Sequence, residues 1–227
     1  MPLMNEQLRE TRGNLRRKEV HAVRVALLIL VASFVGGCKP QNAVVSKTPG
    51  DVIRRAHADV FANRDEDLVA CYTGPAGFEA MIRATAAYTR EAYALEDELN
   101  RVYGKDAMSK LRALAAKRDP SITIDVPPKD AAWIDDLQIE ESGDHARFFD
   151  PVRNAEVQLV KKDGGWKMSL DGSGVDPKQA AKLMDDCTIV LKEVRAHAAT
   201  GKPTLEELCS ELTSKSLKAF NGPEGAK

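Results

Sequence analysis

The sequence predicts an α+β protein, with N-terminal helices packed on a curved four-stranded antiparallel sheet and a C-terminal helix pair after it. Three observations predict this. Apolar residues recur at helical spacing from residue 49 to 118, the period shortens to two between residues 132 and 170, and it returns to near 3.6 from residue 177. The chain reads as a leader (1–37), a short tether (38–48), an α+β domain (49–172) and a C-terminal helical hairpin packed on it (173–227).

Thr48-Pro49 opens the first helix, since proline suits the first turn and Asp51 the positive helix end. Val52, Ile53, Ala56, Val60 and Phe61 form one apolar stripe, and Glu66 to Tyr72 reads as a short second helix. Phe78, Met81, Thr85, Tyr88, Ala92, Leu95, Leu99 and Val102 make one seam of a long helix from about Ala76 to Tyr103, with Gly104 as its cap. Lys105 to Arg118 is a further amphipathic helix, stopped by Asp119-Pro120.

Four strands are expected next. Trp133, Leu137 and Ile139 mark one from about Ala132 to Glu140, and Ser142-Gly143-Asp144 turns it into His145–Phe149. Val157 and Leu159 belong to a third, and Asp163-Gly164-Gly165 turns it into Trp166–Leu170. Asp176-Pro177 then caps a helix through Ala180, Leu183, Met184, Cys187, Val190, Leu191 and Val194. Thr204 and Glu207 form a capping box that opens the last helix, through Leu208, Leu212 and Phe220.

The leader is the most specific stretch. A basic segment precedes an apolar run of 11 residues, Val25 to Val35, followed by Gly36-Gly37-Cys38. As a helix that run is roughly 16 Å long, well short of a bilayer core of about 30 Å. A short apolar run with basic flank and small residues at its end is the pattern of an export signal. Val35-Gly36-Gly37-Cys38 resembles the lipobox of bacterial lipoprotein signal peptides. The resemblance implies that Cys38 receives a diacylglyceryl group, that the leader is cut before it, and that the protein is exported and held at a membrane by that lipid. Val35 stands where Leu is commoner. Lys39, rather than Asp, follows the cysteine and points to the outer membrane if the host is Gram-negative.

Removing the leader's six basic and three acidic residues from totals of 33 and 34 leaves 27 and 31, a net charge of −4. This excludes a basic footprint for nucleic acid and a polybasic patch for anionic lipid. Cys71, Cys187 and Cys209 lack zinc-site spacing; three cysteines allow at most one internal disulfide, and small buried apolar side chains are the simpler reading. No cofactor or metal is expected.

The order helix, short helix, long helix, antiparallel meander resembles the nuclear transport factor 2-like cone. Residues 49–73 and the closing hairpin VQLVKKDGGWKMSL (157–170) carry that resemblance. It implies a concave sheet filled by helices, in a family that includes polyketide cyclase- and isomerase-like enzymes, binding domains and envelope assembly factors. Such an enzyme needs a carboxylate or His base in a pocket with oxyanion donors. Asp135 shares the parity of Trp133, Leu137 and Ile139, which would aim it at the core unless the strand starts later. His57 is the other candidate base, one position off the first helix's stripe. Tyr72, Tyr88, Trp133, Phe148 and Trp166 are pocket candidates whose simpler role is core packing.

The reading that follows is a lipid-anchored envelope protein that binds an envelope protein or a small apolar ligand without catalysis. A small-molecule enzyme or carrier using Asp135, and a structural protein dimerising through its C-terminal helices, are the alternatives.

Overall fold

Thr48 caps the first helix. Its hydroxyl accepts from the Asp51 N–H at 3.1 Å, and the Asp51 carboxylate accepts from the Thr48 N–H at 3.0 Å. This reciprocal cap opens α1 (Pro49–Phe61). The computed structural model describes residues 45–120, 122, 124, 126–150, 155–171 and 174–221; the leader, Cys38 and most of the tether lie outside them. The buried stripe of α1, with Val52, Ile53, Ala56 and Val60, packs toward the sheet. Asn63 takes a left-handed conformation (φ 56°) and ends the helical run, and α2 (Asp65–Ala70) follows.

The second helix is shorter than expected because Tyr72 leaves it. Tyr72–Thr73 form β1, which pairs parallel to the last strand through Tyr72–Met168 and Thr73–Ser169. The other strands are β2 (Ile139–Ser142), β3 (His145–Asp150), β4 (Ala155–Lys162) and β5 (Gly165–Ser169). The sheet is therefore five-stranded and mixed, in the order β1-β5-β4-β3-β2, with every pair except β1–β5 antiparallel. The α+β class holds; the four-stranded, purely antiparallel sheet does not.

The expected strand from Ala132 is also corrected. Ala132–Ile134 is a turn of 3-10 helix, and β2 starts only at Ile139. The Asp130 carboxylate accepts from the Ala132 N–H at 2.9 Å, and the Ile134 N–H reaches Ala131 O at 2.9 Å. Local turn hydrogen bonds of this kind compete with strand pairing.

The sheet's inner face carries the buried row Ala146, Leu159, Met168 and Tyr72, in register across four strands. Phe148 lies opposite Val157 and Ile139 on the same face. The free edge of β5 is covered in succession: Trp166 N–H donates to Ser46 O at 3.0 Å, then Met168 N–H to Cys71 O and Leu170 N–H to Thr73 O, both at 2.9 Å. This accounts for an edge that would otherwise invite pairing with another chain.

The remaining helices are α3 (Phe78–Tyr103), α4 (Ala107–Arg118), α5 (Pro177–Ala198) and α6 (Leu205–Asn221). They form a bundle in which α3 and α5 pack along their length, α6 lies on α5 and α4, and α4 on α3. Tyr103 Oη donates to Pro203 O at 2.9 Å, so the C-terminal ends of α3 and α5 meet and the two helices run in the same direction. Their buried faces are rich in small residues, with Ala84, Ala86, Thr89 and Ala92 on one and Ala180, Ala181, Cys187 and Thr188 on the other. Small side chains at a crossing let helix axes approach closely. The hydroxyls of Thr85, Thr89, Thr188 and Thr213 each donate to the carbonyl four residues back, so their burial leaves no donor unmet.

The C-terminal helices are thus part of the main core. The principal partner of α3 is α5, where the cone resemblance implied the sheet.

Candidate functional site

Asp135 does not face a pocket. It lies just after the 3-10 turn, its side chain is 66% exposed, and it pairs with Arg54 of α1. The alternation with Trp133, Leu137 and Ile139 is broken by the turn, which carries Asp135 outward.

His57 is fully buried, but inside a packed cluster. Its Nε2 lies 3.2 Å from Pro128 O, its ring sits edge-on to Phe61 at 5.3 Å, and Trp133 is 6.5 Å away. Phe61 in turn contacts Tyr93 at 5.2 Å, and Lys129 Nζ lies 5.0 Å over the Tyr93 ring while pairing with Asp97 at 2.9 Å. This joins α1, α3 and the 126–134 segment. Its chemistry is aromatic packing with a cation over one face.

The five aromatic pocket candidates belong to the core and its margin. Tyr72, Tyr88, Phe148 and Trp166 are buried in the hydrophobic core, and Trp133 packs with His57. Tyr72 joins the inner row of the sheet through Met168, and Trp166 lies opposite Lys161 in the β4–β5 pair.

Two polar clusters escaped the sequence. In one, Asp59 is 1% exposed on α1 and receives Arg64 at 2.6 Å, with Arg55 Nε 3.6 Å from its other oxygen. Burial pushes its carboxyl above the usual range, and the hydrogen bond and charge of Arg64 only partly offset this. Cys71 nearby is a free buried thiol that burial pushes up to about 12. The other joins α5 to α6: His197 Nδ1 and Lys215 Nζ meet the two oxygens of Glu211 at 2.7 and 2.6 Å, and Lys215 also reaches Glu193 at 2.7 Å. Burial acts upward on Glu211, but the hydrogen bonds from Lys215 and His197 outweigh it and hold its carboxyl below the usual range.

The concave surface lies on the outer face and free edge of the sheet. A depression of about 440 Å³ is lined by Glu140, Glu141, His145, Arg147, Glu156 and Gln158, among others. Arg147 spans three strands there, meeting Glu140 at 2.8 Å and Glu156 at 3.3 Å. Phe149, 55% exposed, stands opposite Glu156 in the β3–β4 pair. The spacing of Arg147 and Phe149 hinted at an outer face, but the cross-strand partners are set by register. The arrangement offers charge pairs, hydrogen bonds and, in β2, the last strand of the sheet order.

Cys187 and Cys209 are likewise free and buried. Among the described residues, no group of three His, Cys, Asp or Glu could hold a metal ion, and no helix is long and apolar enough to cross a membrane. No protein-family model, curated protein or solved structure matches this chain.

Proposed function

We propose that this chain is a lipid-anchored cell-envelope protein, tied to its membrane through Cys38 and using the folded domain as a non-enzymatic module that binds another protein. The observation that carries the anchoring is the run from the basic leader through Val35-Gly36-Gly37-Cys38. The first helix opening at Thr48, ten residues on, fits a domain carried on a short tether. Stable anchoring follows from more than one acyl chain, since a single chain binds only marginally.

A protein partner is favoured over a small apolar ligand by where the surfaces fall. The aromatic residues that would line an apolar pocket are buried in the core, and the concave surface is open, charged and beside β2, the last strand of the sheet order. An exposed strand edge supplies backbone hydrogen bonds to an extended segment of a partner, and Arg147 with Glu140 and Glu156 supplies charge selectivity.

Cys38→Ser tests the anchoring. The wild-type chain is expected in the membrane fraction and the variant in the soluble fraction or retained with its leader; equal membrane retention of a leader-cleaved variant would contradict it. Native mass spectrometry of the purified protein tests the binding mode. The mass of the mature chain with its lipid on Cys38 is expected, and a further discrete small-molecule mass would overturn this reading in favour of a carrier.

A further inference from the structure

We infer that the end of the sheet at the β4–β5 hairpin faces the membrane, and that Lys47, Lys161, Lys162 and Lys167 meet anionic phospholipid headgroups there. The inference rests on the anchoring at Cys38 proposed above and adds to it an orientation and a binding chemistry.

The first support is where the tether joins the domain. Val45 and Ser46 are seated on the start of β5: Trp166 N–H donates to Ser46 O at 3.0 Å, and a Cβ on Gly165 would lie 2.9 Å from Val45 Cγ1 and 3.4 Å from the Ser46 backbone. Gly165 thus leaves the space the tether occupies. Val45 is only seven residues beyond Cys38. At ~3.5 Å per residue they span at most about 25 Å. A domain of this size is roughly 40 Å across. The hairpin end is therefore held close to the headgroups.

The second support is the charge at that end. Lys161 and Lys162 finish β4, Lys167 lies on β5, and Lys47 follows the seated Ser46. Lys47, Lys161 and Lys162 are exposed, and the Lys167 side chain is 27% exposed. Among the described residues, the carboxylates at this end are Asp163, 3.5 Å from Lys167, Asp144, whose carbonyl accepts from the Lys161 N–H, and Asp51, whose carboxylate accepts from the Thr48 N–H beside Lys47; Glu141 stands on β2, two strands from β4. Lys162 also reaches the Thr73 hydroxyl at 3.2 Å. No acidic residue occurs between Cys38 and Asp51. Four lysines against these three carboxylates leave a small positive balance at this end, although the mature chain is acidic. Screening over about 8 Å at physiological salt makes the local balance decide contact with a surface. The overall count of −4 therefore does not describe the face turned to the lipid, and the basic surface that composition excluded is present locally.

The test uses the full chain purified from membranes and reconstituted into vesicles of phosphatidylcholine alone or mixed with phosphatidylglycerol. Lysine accessibility is read by brief amine acylation and peptide mass spectrometry. Lys47, Lys161, Lys162 and Lys167 are expected to label several-fold more slowly on the anionic vesicles, with the protection removed by high salt, while Lys110 on α4 and Lys218 on α6 stay unchanged. Equal labelling on the two vesicle types, or protection of Lys110 and Lys218 instead, would overturn the inference. So would equal protection by inorganic phosphate in detergent, which would make the site one for a free anion. The double variant Lys161→Gln/Lys162→Gln should remove the lipid dependence at Lys47 and Lys167; if it fails to fold, Lys47→Gln, ahead of α1, should weaken it at the other three. Intact mass scores the anchor separately. A chain without lipid on Cys38 overturns the anchoring and this inference together, whereas a lipidated chain indifferent to vesicle charge overturns this inference alone.

Discussion

The helical bundle and the sheet are built by different rules. In the bundle, α3 and α5 bury a continuous seam of small and aliphatic side chains, with Leu95 and Leu99 fully enclosed and an ion pair from Glu91 to Arg195 at 2.6 Å beside it. The sheet buries one face on α1 and leaves the other to charge pairs, an open depression and an exposed Phe149. The comparison teaches where stability and interaction reside. The enclosed half supplies the fold's cohesion, and the half-open sheet carries the surfaces on which the proposed partner and membrane contacts rest.

Leu99→Ala probes the bundle most severely. It removes a fully buried side chain from the α3 seam and should cost about 2–5 kcal/mol, by lost transfer energy and the cavity left behind. Denaturant midpoints measure it; a loss below about 1 kcal/mol would mean the bundle does not carry the fold.

Arg64→Ala, on the sheet side, should cost about 1–3 kcal/mol at neutral pH by leaving Asp59 ionised in a buried site. Burial raises the Asp59 carboxyl from its ordinary 3.8, so the folded chain holds that proton more tightly than the unfolded chain. This site therefore gains stability as the pH falls from the raised value toward 3.8, whereas the penalty of Arg64→Ala shrinks above that window, as the pH falls through the variant's still higher carboxyl value toward that of the wild type. Thermal melts across that range check the direction.

Glu211→Gln, in the bundle, should act more weakly and with the opposite sense in the wild-type chain. The Glu211 carboxyl is held below its ordinary 4.5, so its contribution is present above 4.5 and lost as the pH falls through the folded value. Partly exposed pairs of this kind are worth up to about 1 kcal/mol. A difference from wild type that persists unchanged at pH 3 would show that the hydrogen bonds from Lys215 and His197 are not its source. Asp135→Asn is expected to be the smallest change, within about 0.5 kcal/mol, because the carboxylate is solvated beside Arg54.

How much of this was legible follows the same division. Helices announce themselves locally, so the seam of α3, the Asp176-Pro177 start of α5 and the Thr204–Glu207 cap of α6 were readable from neighbouring residues. Which helix packs on which was not, because the pairing of α3 with α5 joins residues about 100 positions apart. The β3–β4–β5 meander was legible from its alternation and turns; β1 was not, since two residues carry no period and its partner lies across the chain. Asp135 misled because a 3-10 turn cut through an alternation that looked like a strand. Asp59 and the basic hairpin end were invisible for a related reason: burial and charge clustering depend on register and on where Ser46 returns to β5.

The most direct test of the anchored-module account is the mass of the N-terminal peptide of the protein extracted from the membranes of the cells that make it. The account predicts a peptide beginning at Cys38 and carrying a diacylglyceryl group. A peptide beginning at Met1, or one in which Cys38 bears an unmodified thiol, would contradict it.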